Sequence, residues 1–444
     1  MKIVLPVHHF PPRYSAGAEL YTFRLARWLI QHGHTVEVVC IEHVRWDGRN
    51  RVVAAHDTYE GVPVWRLAIE ASPQGWPVRT FDNPELAAWF ADYLGQTRPD
   101  LAHFQAGYLI GVGPLRATIS LGIPTVLTLH DFWFLCPQIT FLRGDGTRCA
   151  GPPDDPGVCA WCVRLTGRMS RFADRVSGGA AGRVGAVVLR AEARQMTARR
   201  QALLPALAWP NVVVAPSHFL AGRFRPYVPA ERLHVLRYGL DTTRLRATPA
   251  APADGPLRLV YIGQIAPHKG VHVLVAAIQA LPLTGRPVEL TIYGDLAQHG
   301  AYGRKLEALA GGEPRIRLAG RFANSQISEV LGACHATVVP SLWYENSPLA
   351  IMEAHAAGRP VLTSALGGMA ELVRDEVDGL HCLPGDAADL ARQIGRLGTE
   401  PGLLERLSQG VRPPATLDDE MDALLQIYAA SYAPNGGAVF AGRS

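Results

Sequence analysis

The chain has 444 residues, 43 Lys and Arg against 39 Asp and Glu, a formal net charge of +4, and 48% hydrophobic residues. That length predicts two domains, and that apolar content suffices for two sizeable cores. The charge surplus is too small to single out a nucleic-acid partner; no stretch is as long as a membrane span, and seven Cys behind an N-terminus unlike a signal peptide read as thiols or metal ligands, so the default location is the cytoplasm.

In chain order, Lys2–Val7 reads as a strand and runs straight into His8 and His9. Ser15-Ala16-Gly17-Ala18-Glu19 is a turn into a helix predicted over Glu19–Ile30. A glycine at such a turn lets backbone approach a phosphate, and a plain helix start is the ordinary alternative. Strands at Thr35–Cys40, Asp100–Gln105 and Pro124–His130, with a helix at Pro84–Leu94, continue the alternation. Such alternation predicts an α/β fold with a parallel, doubly wound sheet. His130 at the end of its strand is placed to bond a hydroxyl, with Asp131 orienting it or facing a second substrate; a satisfied structural His is the plain reading.

The rhythm breaks over Leu142–Leu203. Cys136, Cys149, Cys159 and Cys162 fall close together, Cys159-x2-Cys162 has metal-ligand spacing, and Gly, Pro and Asp fill the turns between. Four soft ligands suit a structural zinc ion and, less well, an iron–sulfur cluster; four ordinary thiols are the alternative. Cys40, Cys334 and Cys382 are isolated and read as core. From Arg164 to Arg200, nine Arg stand against Asp174 and Glu192, with Met169, Phe172, Val176, Val187 and Leu189 interspersed. Arg164, Arg168, Arg171 and Arg175 share a predicted helical face, which suits an anionic membrane surface or a phosphate-bearing acceptor as well as it suits plain solvent.

Strands at Leu257–Gly263, Val288–Gly294, Ile316–Gly320 and Ala336–Ser341 restart the pattern, so a second Rossmann-like domain is expected after an Ala-, Pro- and Thr-rich seam near 238–256. In Gly263–Gly270, after a strand and before a helix, Lys269 can neutralise a diphosphate. Gln264 opens the same turn. Arg321, just past Gly320, can stack on a base or stand exposed. In Glu345-Asn346-Ser347-Pro348-Leu349-Ala350-Ile351-Met352-Glu353, Ser347 is the expected N-cap and Pro348 the first helical residue, with Gly358 and Arg359-Pro360 as the stop. The N–H groups of Leu349 and Ala350 then form a positive nest for a phosphate. Gly367-Gly368-Met369-Ala370-Glu371 is a further Gly-rich turn. Ala415–Tyr432, after Pro413-Pro414, reads as a final helix, and Ala433–Ser444 as a frayed tail.

A phosphate nest flanked by two hydroxyl-seeking carboxylates, Glu345 and Glu353, suits a nucleotide-sugar. Their spacing resembles the E-x7-E signature of retaining GT-B-type glycosyltransferases of family 4, and the resemblance covers nearly the whole chain. It implies two Rossmann-like domains facing across a cleft: 1–240 on the acceptor side with the Cys/Arg-rich insertion 142–203, 241–410 for the nucleotide-sugar, and 411–444 returning to the first domain. It implies a nucleotide-diphospho-sugar donor and a saccharide, lipid-linked glycan or small-molecule acceptor, front-face attack, and no catalytic metal. Catalysis then falls to His130, Lys269 and Glu345, and donor contacts to Gly17, Gln264, Arg321, Ser347, Leu349 and Glu353. The chain departs from the family pattern at Gln264, where Arg is usual, and at Ala16, where a second Gly is. Rival readings are a sugar-nucleotide epimerase or hydrolase on the same fold, and a Cys-cluster binding module on a degenerate transferase body.

Overall fold

The computed structural model describes residues 1–15, 17–72, 76–177, 189–245 and 255–432, without the side chains of Trp76, Pro77, Arg168 and Arg244. Ala16, Val187, part of the seam near 238–256 and the tail from Ala433 lie outside the described residues. Contacts divide the chain into two compact units. The first holds Met1–Pro216, Leu220–Leu236 and the chain from Met421 on; the second holds Ser217–Phe219 and Arg237–Glu420.

The first unit is built on eight strands: β1 (Lys2–Val7), β2 (Thr35–Trp46), β3 (Arg51–Tyr59), β4 (Val62–Ala71), β5 (Leu101–Phe104), β6 (Thr125–Thr128), β7 (Val212–Ala215) and β8 (Leu233–Val235). They lie in the order β3-β4-β2-β1-β5-β6-β7-β8. Every pairing is parallel except β3 with β4. All four residues of β5, β6 and β7 are buried, as in a sheet covered on both faces. The β3–β4 hairpin was not among the expected strands. Its edge strand is mostly exposed and polar, so it lacks the apolar run that announces a central strand. Glu60 (φ 45°) and Gly61 (φ 83°) supply the two left-handed residues of its turn.

The second unit carries six parallel strands: β9 (Leu257–Ile262), β10 (Val288–Tyr293), β11 (Ile316–Gly320), β12 (Ala336–Val339), β13 (Val361–Ser364) and β14 (Gly379–Cys382). Their order is β11-β10-β9-β12-β13-β14. Leu259, Leu290, Val338, Leu362 and Leu380 form one core with the helices Val271–Ala280 and Ala387–Thr399.

The expected row of four Arg is split, with Arg168, Arg171 and Arg175 on one helix and Arg164 on another. Helix Pro156–Arg164 ends at buried Leu165, extended Gly167 (φ −75°, ψ 139°) interrupts, and a second helix runs Arg168–Val176. Arg164 therefore sits on a different helix from Arg171 and Arg175, and it pairs with Glu192 at 3.3 Å. Two other Arg of the stretch from Arg164 to Arg200 bond backbone carbonyls: buried Arg199 donates to the Trp133 carbonyl, and Arg200 to the Asp154 carbonyl at 3.0 Å. Among the described residues no helix is long and apolar enough to cross a membrane.

Candidate functional site

In an open α/β sheet, ligands bind beyond the carboxyl ends of the strands, where the strand order reverses. In the second unit the chain runs outward from β9 to β10 and β11, then returns to place β12 on the other side of β9. The loops after β9 and β12 thus meet at that point. They pack backbone to backbone: a Cβ on Gly270 would stand 2.0 Å from the Pro340 carbonyl oxygen, and Gly270 itself has φ +70°. The Leu342 N–H donates to the His268 carbonyl at 2.8 Å. This contact brings Lys269 and Glu345, 76 residues apart in sequence, to 2.6 Å between Nζ and Oε1.

Glu345 is buried, and the Ser341 hydroxyl donates to the same oxygen at 2.8 Å. Burial alone would raise its pKa. The charge and hydrogen bond of Lys269, with help from Ser341, outweigh that and hold the carboxyl below its ordinary value. The Lys269 ammonium also stands 5.4 Å from the Trp343 ring centroid. His268 is pushed down to about 4 by burial and by the Lys269 charge, so it is neutral at pH 7. The Glu345 segment is held from its other side by the Gly-rich turn. The Gly368 N–H donates to the Glu345 carbonyl at 2.7 Å, and a Cβ there would meet the Asn346 carbonyl oxygen at 1.8 Å.

The helix carrying Glu353 runs Leu349–Ala356. Its capping residue is Pro348, not Ser347; the Ser347 hydroxyl turns to the Met352 sulfur at 3.5 Å. Proline lacks an N–H and its ψ of 120° is not helical, so the first turn starts one residue later than expected and opens on Leu349 and Ala350. Gln264 is half-buried, and its carbonyl accepts the Tyr261 hydroxyl at 2.7 Å. Arg321 is not gathered in with Lys269 and Glu345: its side chain is 79% exposed and lies 3.7 Å from Asp295.

The first unit has its own reversal point, between β1 and β5, on either side of which the chain builds outward. His130, past the end of β6, bonds through Nε2 to Oε1 of buried Gln105 at 3.1 Å. Facing a carbonyl-type oxygen, Nε2 carries the proton. Burial, then the nearby His8, pushes the His130 pKa down to about 3, so the imidazole is neutral. The Tyr21 ring lies against it, centroids 4.9 Å apart. Asp131 Oδ1 accepts the Trp133 N–H at 2.8 Å, and burial raises its pKa.

Sequence reading passed over two residues here. His8 follows β1 directly, and buried Glu19 lies in the first turn of helix Gly17–Gln31; their Nε2 and Oε1 stand 3.2 Å apart. Burial would raise the Glu19 pKa, but the hydrogen bond and charge of His8 bring it below its ordinary value. His8 Nδ1 and Glu19 Oε2 are buried without a protein partner among the described residues. The signal that could have found them was chain position: a polar pair at a strand end, and an acid just past Gly17. Gly17 is the first residue of its helix, and a Cβ there would meet nothing within 4 Å.

Cys136, Cys149, Cys159 and Cys162 line one cavity of about 430 Å³ in the first unit. Among the described residues no three His, Cys, Asp or Glu side chains stand close enough to hold one metal ion, so the expected single-zinc site is not formed. The thiols ring a space rather than converge on a point.

Residues 15–244 match the family model described as Glycosyltransferase Family 4, and residues 246–412 match the one described as Glycosyl transferases group 1. Among curated relatives, the chain is 32% identical over 204 residues to a glycogen synthase of Mycobacterium tuberculosis, covering 44% of this chain and 48% of that one. It is 26% identical over 336 residues to the alpha-D-kanosaminyltransferase of Streptomyces kanamyceticus, covering 74% and 76%. The match thus spans about half the length of the glycogen synthase and most of the kanosaminyltransferase. Among solved structures, sucrose-phosphate synthase of Thermosynechococcus elongatus superposes with a TM-score of 0.65 at 19% identity, covering 96% of this chain and 98% of that one. HepE of Anabaena, solved with UDP, gives 0.65 at 17% identity, covering 97% and 100%. At such identities the likeness carries the fold: two Rossmann-like domains of the GT-B class.

Proposed function

Because the chain belongs to glycosyltransferase family 4, we propose that it moves a sugar from a nucleotide-diphospho-sugar to a hydroxyl acceptor with retention at the anomeric carbon. The observation that carries this reading is the Lys269–Glu345 pair, 2.6 Å apart at the reversal point of the second sheet. Relatives named as glycosyltransferases, and a structural neighbour solved with UDP, support it. The epimerase, hydrolase and binding-module readings draw no support from either.

Before donor binds, Lys269 and Glu345 neutralise each other, so neither charge is buried alone. A diphosphate seated at the N-terminus of helix Leu349–Ala356 bonds the N–H groups of Leu349 and Ala350 and draws on Lys269. As the sugar–phosphate bond breaks, negative charge grows on the leaving phosphate, and the fixed ammonium stabilises it most at that moment. Gln264 carries no charge and Arg321 points to Asp295, so Lys269 bears that task without their help. Glu345 holds sugar hydroxyls and Glu353 the ribose diol. The first unit, taken by itself, offers neutral His130 and the unpartnered His8 Nδ1 and Glu19 Oε2 as groups that can bond hydroxyls. With no carboxylate assigned as nucleophile, the acceptor attacks from the face the leaving group vacates, and the departing phosphate takes its proton.

The acceptor is lipid-linked or otherwise membrane-borne in this reading. Met169, Phe172 and Val176 are 87%, 71% and 70% exposed on helix Arg168–Val176, beside Arg171 and Arg175. That pattern fits a peripheral contact with anionic lipid.

A screen of nucleotide-sugars, reading nucleotide release with and without acceptors, tests the reaction. Acceptor-dependent release with the anomeric configuration kept, read by NMR of the product, is the expected result. Release that ignores every acceptor, or an inverted product, removes the proposal.

A further inference from the structure

We propose that β3 is an interaction edge on which a second copy of this chain pairs, strand against strand, antiparallel and centred on Ala54. Such pairing is independent of the transferase reading and uses none of its residues.

β3 is the last strand of its sheet: β4 covers one edge, and among the described residues no strand pairs with the other. The turn decides which backbone groups are left over. Pro63 stands opposite Thr58 and has no N–H, so that pair is of the kind that exchanges no bonds across the ladder. Bonded and non-bonded pairs alternate along an antiparallel ladder, and the register of β3 with β4 runs unbroken from Tyr59 to Arg51. Arg51, Val53, Ala55, Asp57 and Tyr59 therefore bond β4, while the N–H and C=O groups of Val52, Ala54, His56 and Thr58 point away from it. An open edge is ordinarily guarded by lysine, proline, a bulge or short length. β3 runs for 9 residues without Lys, Pro or Gly and without a register shift, and Val53 is 42% exposed.

The strand is complementary to itself. Several antiparallel registers would join its outward groups to those of a second copy, and charge chooses among them. Centred on Ala54, the pairing sets Val52 against His56, Ala54 against Ala54 and Arg51 against Asp57, with Val53 beside Ala55. Each facing pair of outward residues exchanges both of its N–H···O bonds. Within one chain Arg51 already pairs with Glu70, and Asp57 with Arg66 at 2.7 Å; the Arg51 and Asp57 side chains still keep about half their surface exposed. Glu70 stands opposite Arg51, and Arg66 opposite Ala55, so these four charges share one face of the sheet. Across the joint the row then reads Glu70 and Arg51 of one copy, Asp57 and Arg66 of the other, alternating in sign, and the two-fold axis repeats it. Slipped to the next register that the outward groups allow, Arg51 faces Ala55 or Tyr59 and loses its acidic counterpart. Exposed ion pairs add little strength, so their part is to fix the register. One pair of strands is a small interface, so the dimer forms as concentration rises rather than permanently.

Sedimentation velocity of the full chain should show monomer passing into dimer as concentration rises. Hydrogen exchange read at both ends of that series should slow at Val52, Ala54 and His56 and stay as it was at Val53 and Ala55, whose N–H groups already bond β4. Ala54→Pro removes a donor that β4 does not use, so the dimer should be lost with the far-UV circular dichroism unchanged. Should that variant fail to fold, Ala54→Cys serves instead. Residues facing each other in a bonded pair stand about 5.5 Å apart between Cα atoms, within reach of a disulfide. Mild oxidation should link two chains of Ala54→Cys, above the background set by the seven native cysteines. It should not link two chains of Asp57→Cys, because the counterpart of that position across the joint is Arg51. Protein that stays monomeric at its highest soluble concentration, a dimer that Ala54→Pro leaves intact, or cross-linking of Asp57→Cys as readily as of Ala54→Cys each overturns the proposal.

Discussion

Lys269 stands half-buried against buried Glu345, so its removal should cost chemistry and leave a carboxyl buried without its cation. Lys269→Ala is expected to lower turnover by roughly 10²- to 10³-fold, the usual effect of deleting one preorganised charge partner, with some loss of stability from the unpaired Glu345 that Lys269→Ala with Glu345→Gln should relieve. Steady-state kinetics with any active acceptor decides it; wild-type turnover would take Lys269 out of the mechanism. The two carboxylates separate by titration. Glu353→Gln should weaken calorimetric binding of the bare nucleoside diphosphate through the ribose, whereas Glu345→Gln should bind it and transfer slowly. Equal binding by both variants and wild type sinks the ribose assignment. Gly17 offers a cleaner separation still. Its backbone is helical, and a Cβ there meets open space. Gly17→Ala should therefore leave stability unchanged or raise it by up to about 1 kcal/mol. If a donor phosphate approaches this backbone, the same variant loses activity; if activity holds, Gly17 is an ordinary helix start.

At the scale of elements, the site depends on loops pressed together without side chains between them. Gly368→Ala would force a methyl group against the Asn346 carbonyl, so the Glu345 segment must move. Overpacking of this kind costs about 1–3 kcal/mol, and the Lys269–Glu345 geometry should suffer more than the fold does. The expected signature is a modest drop in denaturation midpoint with a disproportionate loss of kcat. A loss of both in step would mean the turn matters for stability alone. The exposed helix Arg168–Val176 makes a different prediction. Arg171→Gln with Arg175→Gln should weaken sedimentation with anionic vesicles at low salt by roughly 1 kcal/mol per charge, and leave acceptor-free donor hydrolysis untouched. Wild-type protein that ignores such vesicles would return the helix to the status of a solvated face.

For the whole molecule, buried histidines set the response to acid. His103 is fully buried, bonded to the Tyr428 hydroxyl of the last helix and to the Thr128 hydroxyl, each at 2.7 Å. Burial lowers both His103 and His130 to about 3, against 6.5 when free. The unfolded chain thus binds two protons that the folded chain refuses. Stability is full above pH 6.5 and falls as pH drops towards 3, by at most about 2.7 kcal/mol per pH unit from this pair. Glu19 and Glu345 act only lower: their pKa values are depressed, so their contribution is present above about 4.5 and fades below it. Denaturant titrations at pH 7, 6 and 5 should show the loss already under way at pH 6, and His103→Gln should flatten the slope. A flat profile down to pH 5 would mean the two imidazoles titrate normally.

The amino-acid sequence by itself determined the parallel α/β alternation, because β1, β5, β6, β9, β10 and β12 are short apolar runs whose burial is written in their composition. It also singled out Lys269, Glu345 and His130, which sit in the segments after such runs, and Glu353, which lies within the helix that follows β12. Sequence reading faltered where neighbours in space are remote in sequence. It missed the β3–β4 hairpin, whose polar edge strand β3 is held by β4, which in turn pairs with β2. It joined Arg164 to Arg171 and Arg175 on one helix, because periodicity cannot register that buried Leu165 stops the first helix and extended Gly167 separates it from the second. It overlooked His8 and Glu19, which are ordinary residues until the fold puts them 3.2 Å apart. Only tertiary structure decided that Lys269 and Glu345 neutralise each other, and that four cysteines ring a cavity instead of closing on one ion. Local pattern carries which residues are buried; distances between groups on different loops follow from glycine-fitted backbone contacts such as Gly270 against Pro340, which no periodicity encodes.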